Sequence, residues 1–322
     1  VLPSLKDLEA ASAIVHGVFA ATPQICWPLL GERVGAEVWV KHENHTPTGA
    51  FKIRGGLVYF ERLAGSGEVK RGVITASTGN HGQSVAFAAR SRGIAATVVV
   101  PRGNSREKNL AMRGFGATLI EHGEDFQAAR EHAERLARDR GLHMVPSFHP
   151  WLVAGVGTYS LELFRAVADI GVAYVPIGLG SGICGMMAVR DAFGAKTAIV
   201  GVVPAGSPAY ALSFEARRAI EHPVTTRLAS GMACRTPEPA ALEAICKGVE
   251  DVIQVDEEEV AAAMRLAFEC THNVCEGAGA AALAAAIKDA ARSAGRRIAV
   301  VASGGNVDRE VFAEVLAAGA AQ

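Results

Sequence analysis

Residues 73–101 read VITASTGNHGQSVAFAARSRGIAATVVVP. Four apolar or β-branched residues, 73–76, suit a buried strand, and STGNHG at 77–82 turns the chain. Residues 84–92 have a helical pattern that stops at Gly93. Residues 96–100 return to a strand, which Pro101 ends. The same grammar continues with a helix over 105–113, a strand over 117–120, a charged helix over 126–140 closed by Gly141, and a strand over 143–146. Strands that alternate with helices make a parallel sheet, so residues 72–147 are expected to form a small α/β domain. In such sheets ligands sit at the carboxyl ends of the strands.

The pattern extends both ways. Upstream, a helix is expected over 4–19 with Ser4 as its cap, and Pro23 to Pro28 interrupt it. A strand over 37–41 leads into KHENHTPTGAFKIRGG at 41–56. After Lys52, the spacing of Ile53, Leu57, Phe60 and Leu63 is helical, so Lys52 falls at a loop-to-helix junction. Downstream come a helix over 155–168, a strand over 173–177, GLGSG at 178–182 and a helix over 183–193. Strands over 198–203 and 251–255, a helix over 257–270, an Ala-rich helix over 276–291 and a strand over 297–302 follow. SGGN closes the series at 303–306. The fold class is α/β, with two open, mostly parallel sheets flanked by helices. A large discontinuous domain, 1–71 and 148–322, carries the small one as an insertion.

Composition removes several function classes. The 322 residues have a net charge of −1, so no broad basic face for nucleic acid or anionic membrane is implied. The six cysteines form no CxxC, which favours a reducing cytoplasm over a disulfide framework. Cys270, His272 and Cys275 lack a second ligand pair at zinc-site spacing. No cationic and apolar leader is visible at 1–11, and no apolar run is long enough to span a membrane.

Three loops follow strands and face the ligand edge. Gly178, Leu179, Gly180, Ser181 and Gly182 form an anion cradle, where backbone N–H groups converge at a helix start; a tight turn is the bland alternative. The loop is no Walker A sequence. It contains G-x-G-x-G, but no acid stands about twenty residues on to hold a ribose. Ser77, Thr78, Gly79, Asn80, His81 and Gly82 put hydroxyls, an amide and an imidazole on one turn, although ordinary helix capping would also use them. Ser303 ends a buried strand, where its hydroxyl can meet a heterocyclic nitrogen or simply cap a turn.

Together these motifs resemble the serine/threonine dehydratase group of fold-type II pyridoxal 5′-phosphate (PLP) enzymes, which includes serine racemase. The residues that carry the likeness are TGAFKIRGG (48–56), TASTGNHGQ (75–83), VPIGLGSGICG (175–185), GMACRTPEP (231–239), THNVCEGAGAAALAA (271–285) and SGGNVD (303–308). The likeness spans essentially the whole chain. It implies a tryptophan synthase β-like fold with PLP as cofactor, held on Lys52 as a Schiff base. It further implies Phe51 beside the ring, Asn80 on the ring oxygen, residues 178–182 on the phosphate, Ser303 at the pyridine nitrogen and Glu276 near the ring. Ser77, Thr78, Gly79 and His81 would hold the substrate carboxylate. The implied activity is a cytoplasmic ammonia-lyase that removes water from a β-hydroxy-α-amino acid such as L-threonine, L-serine, 3-hydroxyaspartate or phenylserine. A homodimer or larger homo-oligomer is expected.

Departures from the group shape the alternatives. Thr78 stands where racemases carry a serine base and many dehydratases an alanine, so a racemase remains the rival reading, with a non-catalytic cofactor-binding protein behind it. Val203 replaces a glutamate of the cation-binding relatives, so no metal site is expected. Val156, Phe148, His149 and Trp151 make an apolar patch that would admit a bulky β-substituent if it reached the substrate. The absence of a regulatory domain after Asn306 favours a short catabolic enzyme, and the spelling GLGSGICG also looks like dehydratases proposed for hydroxyectoine use.

Overall fold

The computed structural model describes residues 2–67, 69 and 71–319. The chain begins with α1 (Leu5–His16), β1 (Gln24–Cys26), α2 (Pro28–Val34), β2 (Glu37–His42) and α3 (Lys52–Ser66). It continues through β3 (Val73–Ala76), α4 (Asn80–Ser91), β4 (Ala96–Val100), α5 (Arg106–Gly114), β5 (Thr118–Glu121), α6 (Phe126–Arg140) and β6 (His143–Met144). Then come α7 (Pro150–Ala166), β7 (Val172–Pro176), α8 (Ser181–Phe193), β8 (Ala198–Pro204), α9 (Ala209–Ala216), α10 (Pro239–Gly248) and β9 (Asp251–Val255). The last elements are α11 (Glu257–Thr271), α12 (Gly277–Lys288), α13 (Ala290–Ser293), β10 (Arg297–Ala302) and α14 (Arg309–Gly319).

Two sheets result. The larger runs β1-β2-β10-β7-β8-β9 and the smaller β5-β4-β3-β6. Among the described strands only β1 pairs antiparallel, with β2; every other strand pairing is parallel. The large sheet is covered on both faces, as parallel sheets require. Along β10, Ile298, Val300 and Ala302 join the core beneath α11 and α12, while Ala299 and Val301 join the core with α7 and α8. No described helix is long and apolar enough to cross a membrane.

Several boundaries differ from the sequence expectation. Helix α4 starts at Asn80 rather than at residue 84, because Ser77 Oγ accepts from the Gly82 N–H at 2.9 Å and so supports the first turn from outside. Helix α7 starts at Pro150, capped by His149 Nδ1, which accepts from the Trp151 N–H. Asp289 divides the Ala-rich helix into α12 and α13. Helices α2, α9, α10 and α14 and strand β1 were not expected from the sequence.

Candidate active site

Strands β2, β10 and β7 lie side by side, and the chain beyond each delivers one part of the site. After β2 the chain runs back along the turn that follows β10. Phe51 N–H donates to the Ser303 carbonyl at 3.0 Å, and Gly305 N–H to the Gly49 carbonyl at 2.9 Å. Gly49 has a φ of 68°, and a Cβ there would come 2.6 Å from Asn306 Oδ1, so only glycine fits this close approach.

Lys52 opens α3 as a half-buried side chain. Its ammonium lies 4.9 Å from the centroid of the Phe51 ring. Among the described residues it has no carboxylate partner, and burial alone lowers its pKa from 10.5 to about 8. A neutral amine is thereby made accessible near physiological pH, which is what a nucleophilic lysine needs.

A buried ionic cluster fixes the start of α3. Arg54 Nε donates to Glu43 Oε2 at 2.6 Å, and its Nη1 donates to Glu162 Oε1 at 2.6 Å and to Thr158 Oγ1 at 3.0 Å. Lys41 Nζ donates to Glu162 Oε2 at 2.6 Å and to the Thr22 carbonyl at 2.7 Å. Two cations thus meet two carboxylates, with further hydrogen bonds, as burial of charge demands. Burial opposes the ionisation of Glu162, but Arg54 and Lys41 outweigh it and hold the carboxyl at about 2. The cluster joins α3 to β2 and α7.

From the small sheet, the loop after β3 reaches the same place. Ser77 Oγ takes the Gly79 N–H at 3.2 Å as well as that of Gly82. Thr78 is exposed. Asn80 Nδ2 donates to Glu276 Oε1 at 2.5 Å, and Asn80 Oδ1 accepts from Asn306 Nδ2 at 2.8 Å, so both ends of the amide are held. His81 Nε2 is buried with no hydrogen-bond partner among the described residues. Burial, and then the charge of Lys52, push its pKa down to about 3, so the ring is neutral. Ser84 Oγ donates to the Lys52 carbonyl at 2.7 Å and so ties α4 to the first residue of α3.

Glu276 is buried just before α12, and its N–H donates to the Gly304 carbonyl at 3.0 Å. Burial pushes its pKa up, while Lys108 and Asn80 pull it back. Ser303 Oγ is buried and donates to the Ala278 carbonyl at 3.1 Å, which leaves its lone pairs toward other donors.

The glycine loop caps α8. Gly180 has a φ of 95°, and a Cβ on it would come 2.6 Å from Ala241 Cβ. The first helical bond runs from Cys184 N–H to the Gly180 carbonyl at 3.0 Å. The N–H groups before it therefore stand at the positive end of the helix. Ser181 and Gly182 belong to the first turn of α8 rather than to a free loop. Tyr210 holds the loop from behind, donating its hydroxyl to the Leu179 carbonyl at 3.0 Å. Tyr159 donates to the Gly182 carbonyl at 3.2 Å and meets Phe51 edge-on, which links the glycine loop to the Lys52 segment.

The residues singled out in the sequence converge, with one correction. Val156 does not line an apolar substrate surface. It lies on the face of α7 that packs against α3, buried with Cγ2 toward Gly55. Trp151 packs on Tyr59 and His149 beside α3. Lys108, Asn306, Tyr159 and Tyr210 had no assigned role in the sequence. Asn306 lies inside a quoted motif; the other three carry no local signal and are found only by their contacts.

A model of the family described as pyridoxal-phosphate dependent enzyme matches residues 16–304. The chain belongs to the pyridoxal-phosphate-dependent enzymes. An L-threonine ammonia-lyase of Thermotoga maritima is 34% identical over 314 residues, covering 97% of this chain and 78% of that protein. A catabolic L-threonine dehydratase of Staphylococcus aureus is 33% identical and covers 95% of this chain and 89% of the relative. Among solved structures, maize serine racemase has a TM-score of 0.91 at 28% identity, covering 100% of this chain and 99% of that one. PLP dependence and the fold-type II architecture follow, and both sheets of this PLP enzyme take their places in that architecture.

Proposed function

We propose that this PLP enzyme is an ammonia-lyase that dehydrates a β-hydroxy-α-amino acid to a 2-oxo acid and ammonia. Lys52 is the observation that carries the reading, because its amine, without a carboxylate partner among the described residues, has a lowered pKa and lies where three strand-end segments meet. The threonine ammonia-lyase relatives support the reaction class. We read residues 72–147 as the small domain inserted in the large one, and a homo-oligomer as the working assembly.

The residues present fit the cofactor. The buried Nε2 of His81, which has no partner among the described residues, awaits a polar group, and the start of α8 offers N–H groups to a phosphate. Lys52 would hold the group, residues 178–182 its phosphate, Asn80 its ring oxygen, Ser303 its ring nitrogen, and Phe51 and Glu276 its flanks. When bound, PLP supplies an electron sink for the pair released at the substrate Cα.

The chain's own residues do the rest. The Lys52 amine takes the proton from Cα, and its lowered pKa keeps an uncharged fraction ready for that step. Ser77, Thr78, Gly79 and His81 orient the substrate carboxylate, and the neutral His81 ring does so without adding charge. Loss of the β-hydroxyl as water leaves an enamine, whose hydrolysis returns a water and releases the 2-oxo acid with ammonia. Racemisation is the second reading. The likeness to maize serine racemase and the exposed hydroxyl of Thr78, available as a base on the other face, support it.

The test is 2-oxo acid release from L-threonine, L-serine, 3-hydroxyaspartate and phenylserine. Turnover of one of them that is lost in Lys52→Ala upholds the lyase. D-serine formation without 2-oxo acid favours the racemase. A purified protein without the visible absorbance of the lysine-bound cofactor sinks both readings.

A further inference from the structure

The loop after β3 offers a carboxylate neutral donors only, namely the Thr78, Asn80 and His81 N–H groups at the start of α4, which have no acceptor among the described residues. Ser77 N–H is used by the Val99 carbonyl, and the Gly79 and Gly82 N–H groups are used by Ser77 Oγ. His81 is neutral, and Lys52 serves the cofactor and the Cα proton. Those donors hold a substrate carboxylate without a full charge, and a cation lies over the loop that can supply one.

That cation is Lys108, in the first turn of α5. Its stem lies on Gly79, with Cδ 3.3 Å and Nζ 3.9 Å from where a Cβ of that residue would stand. Its Nζ faces Glu276 Oε2 at 3.7 Å, longer than a direct hydrogen bond. Glu276 gives its other oxygen to Asn80 at 2.5 Å, so the closer partner of the carboxylate is the amide rather than the lysine. The lysine side chain is 18% exposed, which leaves it largely stripped of water. The base of the helix is anchored independently of this pair. Ser105 Oγ accepts from the Lys108 N–H at 3.1 Å and donates to Asp308 Oδ1 at 2.5 Å, and Glu107 accepts from the Arg309 N–H at 3.2 Å. Lys108 is thus carried on a fixed backbone, with a loosely engaged ammonium beside the loop and a flexible stem.

We infer that Lys108 is a substrate-binding residue that takes a carboxylate of the amino acid, and that it rests on Glu276 while the site is empty of substrate. The inference rests on the proposed function, since it supplies the charge which that reading's carboxylate loop lacks. The carboxylate is either the one at Cα or a second one on the β-carbon; both present the same anion to the ammonium.

The experiment compares the wild-type holoenzyme with Lys108→Met, which keeps the stem on Gly79, with Lys108→Gln as a second removal, and with Lys108→Arg. Steady-state kinetics use L-serine and 3-hydroxyaspartate. Loss of a charge-assisted contact should raise KM roughly 10- to 100-fold with a much smaller change in kcat, and Lys108→Arg should restore most of it. A rise for both substrates assigns the Cα carboxylate; a rise confined to 3-hydroxyaspartate assigns the β one. Calorimetric titration with succinate, an anion without an amine to react, should show weakened binding in Lys108→Met. Folded Met and Gln variants with unchanged KM for both amino acids and unchanged succinate affinity overturn the inference and leave Lys108 as a tether to Glu276. Should the wild type itself release no 2-oxo acid, the proposed function fails, and the succinate titration alone still decides Lys108.

Discussion

Glu162→Gln tests whether the ionic cluster under Lys52 governs both stability and acid sensitivity. In the folded chain the carboxyl is held at about 2 against an ordinary value of 4.5. At about 1.4 kcal/mol per unit, that difference amounts to about 3 kcal/mol of folding free energy. The side chain is only 6% exposed, so solvent screening removes little of it. Glutamine also turns an N–H₂ group toward Arg54 or Lys41, leaving a buried cation uncompensated, and breaking such a pair costs about 3–5 kcal/mol. The two routes agree, and the expected loss near pH 7 is about 3 kcal/mol. Because the folded pKa is depressed, the contribution is complete above 4.5 and declines as pH falls toward 2. The gap between variant and wild type should therefore narrow on acidification. Urea unfolding followed by circular dichroism, at about pH 7 and about pH 3, measures it. The control is Glu124→Gln, which breaks the pair with Arg102 whose side chains are 62% and 81% exposed, and it should cost about 1 kcal/mol or less. A Glu162→Gln loss no larger than that of the control, or one that does not change with pH, refutes the reasoning.

Other outcomes follow from single distances and charges. Gly180→Ala forces a side chain into a φ of 95° and against Ala241, a strain of about 1–3 kcal/mol, and should weaken PLP binding roughly 10- to 100-fold in a fluorescence titration. Lys52→Met should abolish turnover and the visible absorbance of the bound cofactor. In cofactor-free protein it should also remove a rise in stability between about pH 8 and 10.5, where the unfolded chain binds the lysine proton and the folded chain does not. His81→Asn should lose less stability than the wild type as pH falls from 6.5 to about 3, because the buried ring cannot take the proton that the unfolded chain accepts. Asn306→Ala frees the Asn80 amide from one of its two holds and should raise the KM for PLP, with folding stability changed by about 1 kcal/mol.

The parallel sheets were legible because a buried strand such as residues 73–76 and an amphipathic helix such as 126–140 differ in period, and glycine or proline separates them. The three strand-end segments were legible for the same reason: each breaks a strand with residues whose backbone or hydroxyl groups suit a ligand. What escaped depends on partners far away in the chain. Lys108 sits in a charged helix where lysine is the ordinary surface choice, and only the folded chain brings it to Gly79 and Glu276. Val156 failed in the other direction, because the face of α7 that carries it packs on Gly55 of α3 instead of opening to a surface. Arg54, Glu43 and Glu162 look like ordinary solvated charges until the fold buries all three.

The pairing of β10 with β2 has a consequence for biosynthesis. Arg297 Nε donates to Glu37 Oε1 at 2.7 Å across 260 residues of sequence, and Val301 pairs with Lys41 in the ladder. The ribosome therefore releases the lysine segment and the glycine loop well before the strand that lies between their supports. Until residues 297–302 emerge, β2 and β7 lack the neighbour they share, and their apolar faces stay open to chaperones or to other nascent chains. Cofactor capture is accordingly a late event in the life of this polypeptide, and PLP added to nascent chains stalled before residue 297 should find no site to stabilise.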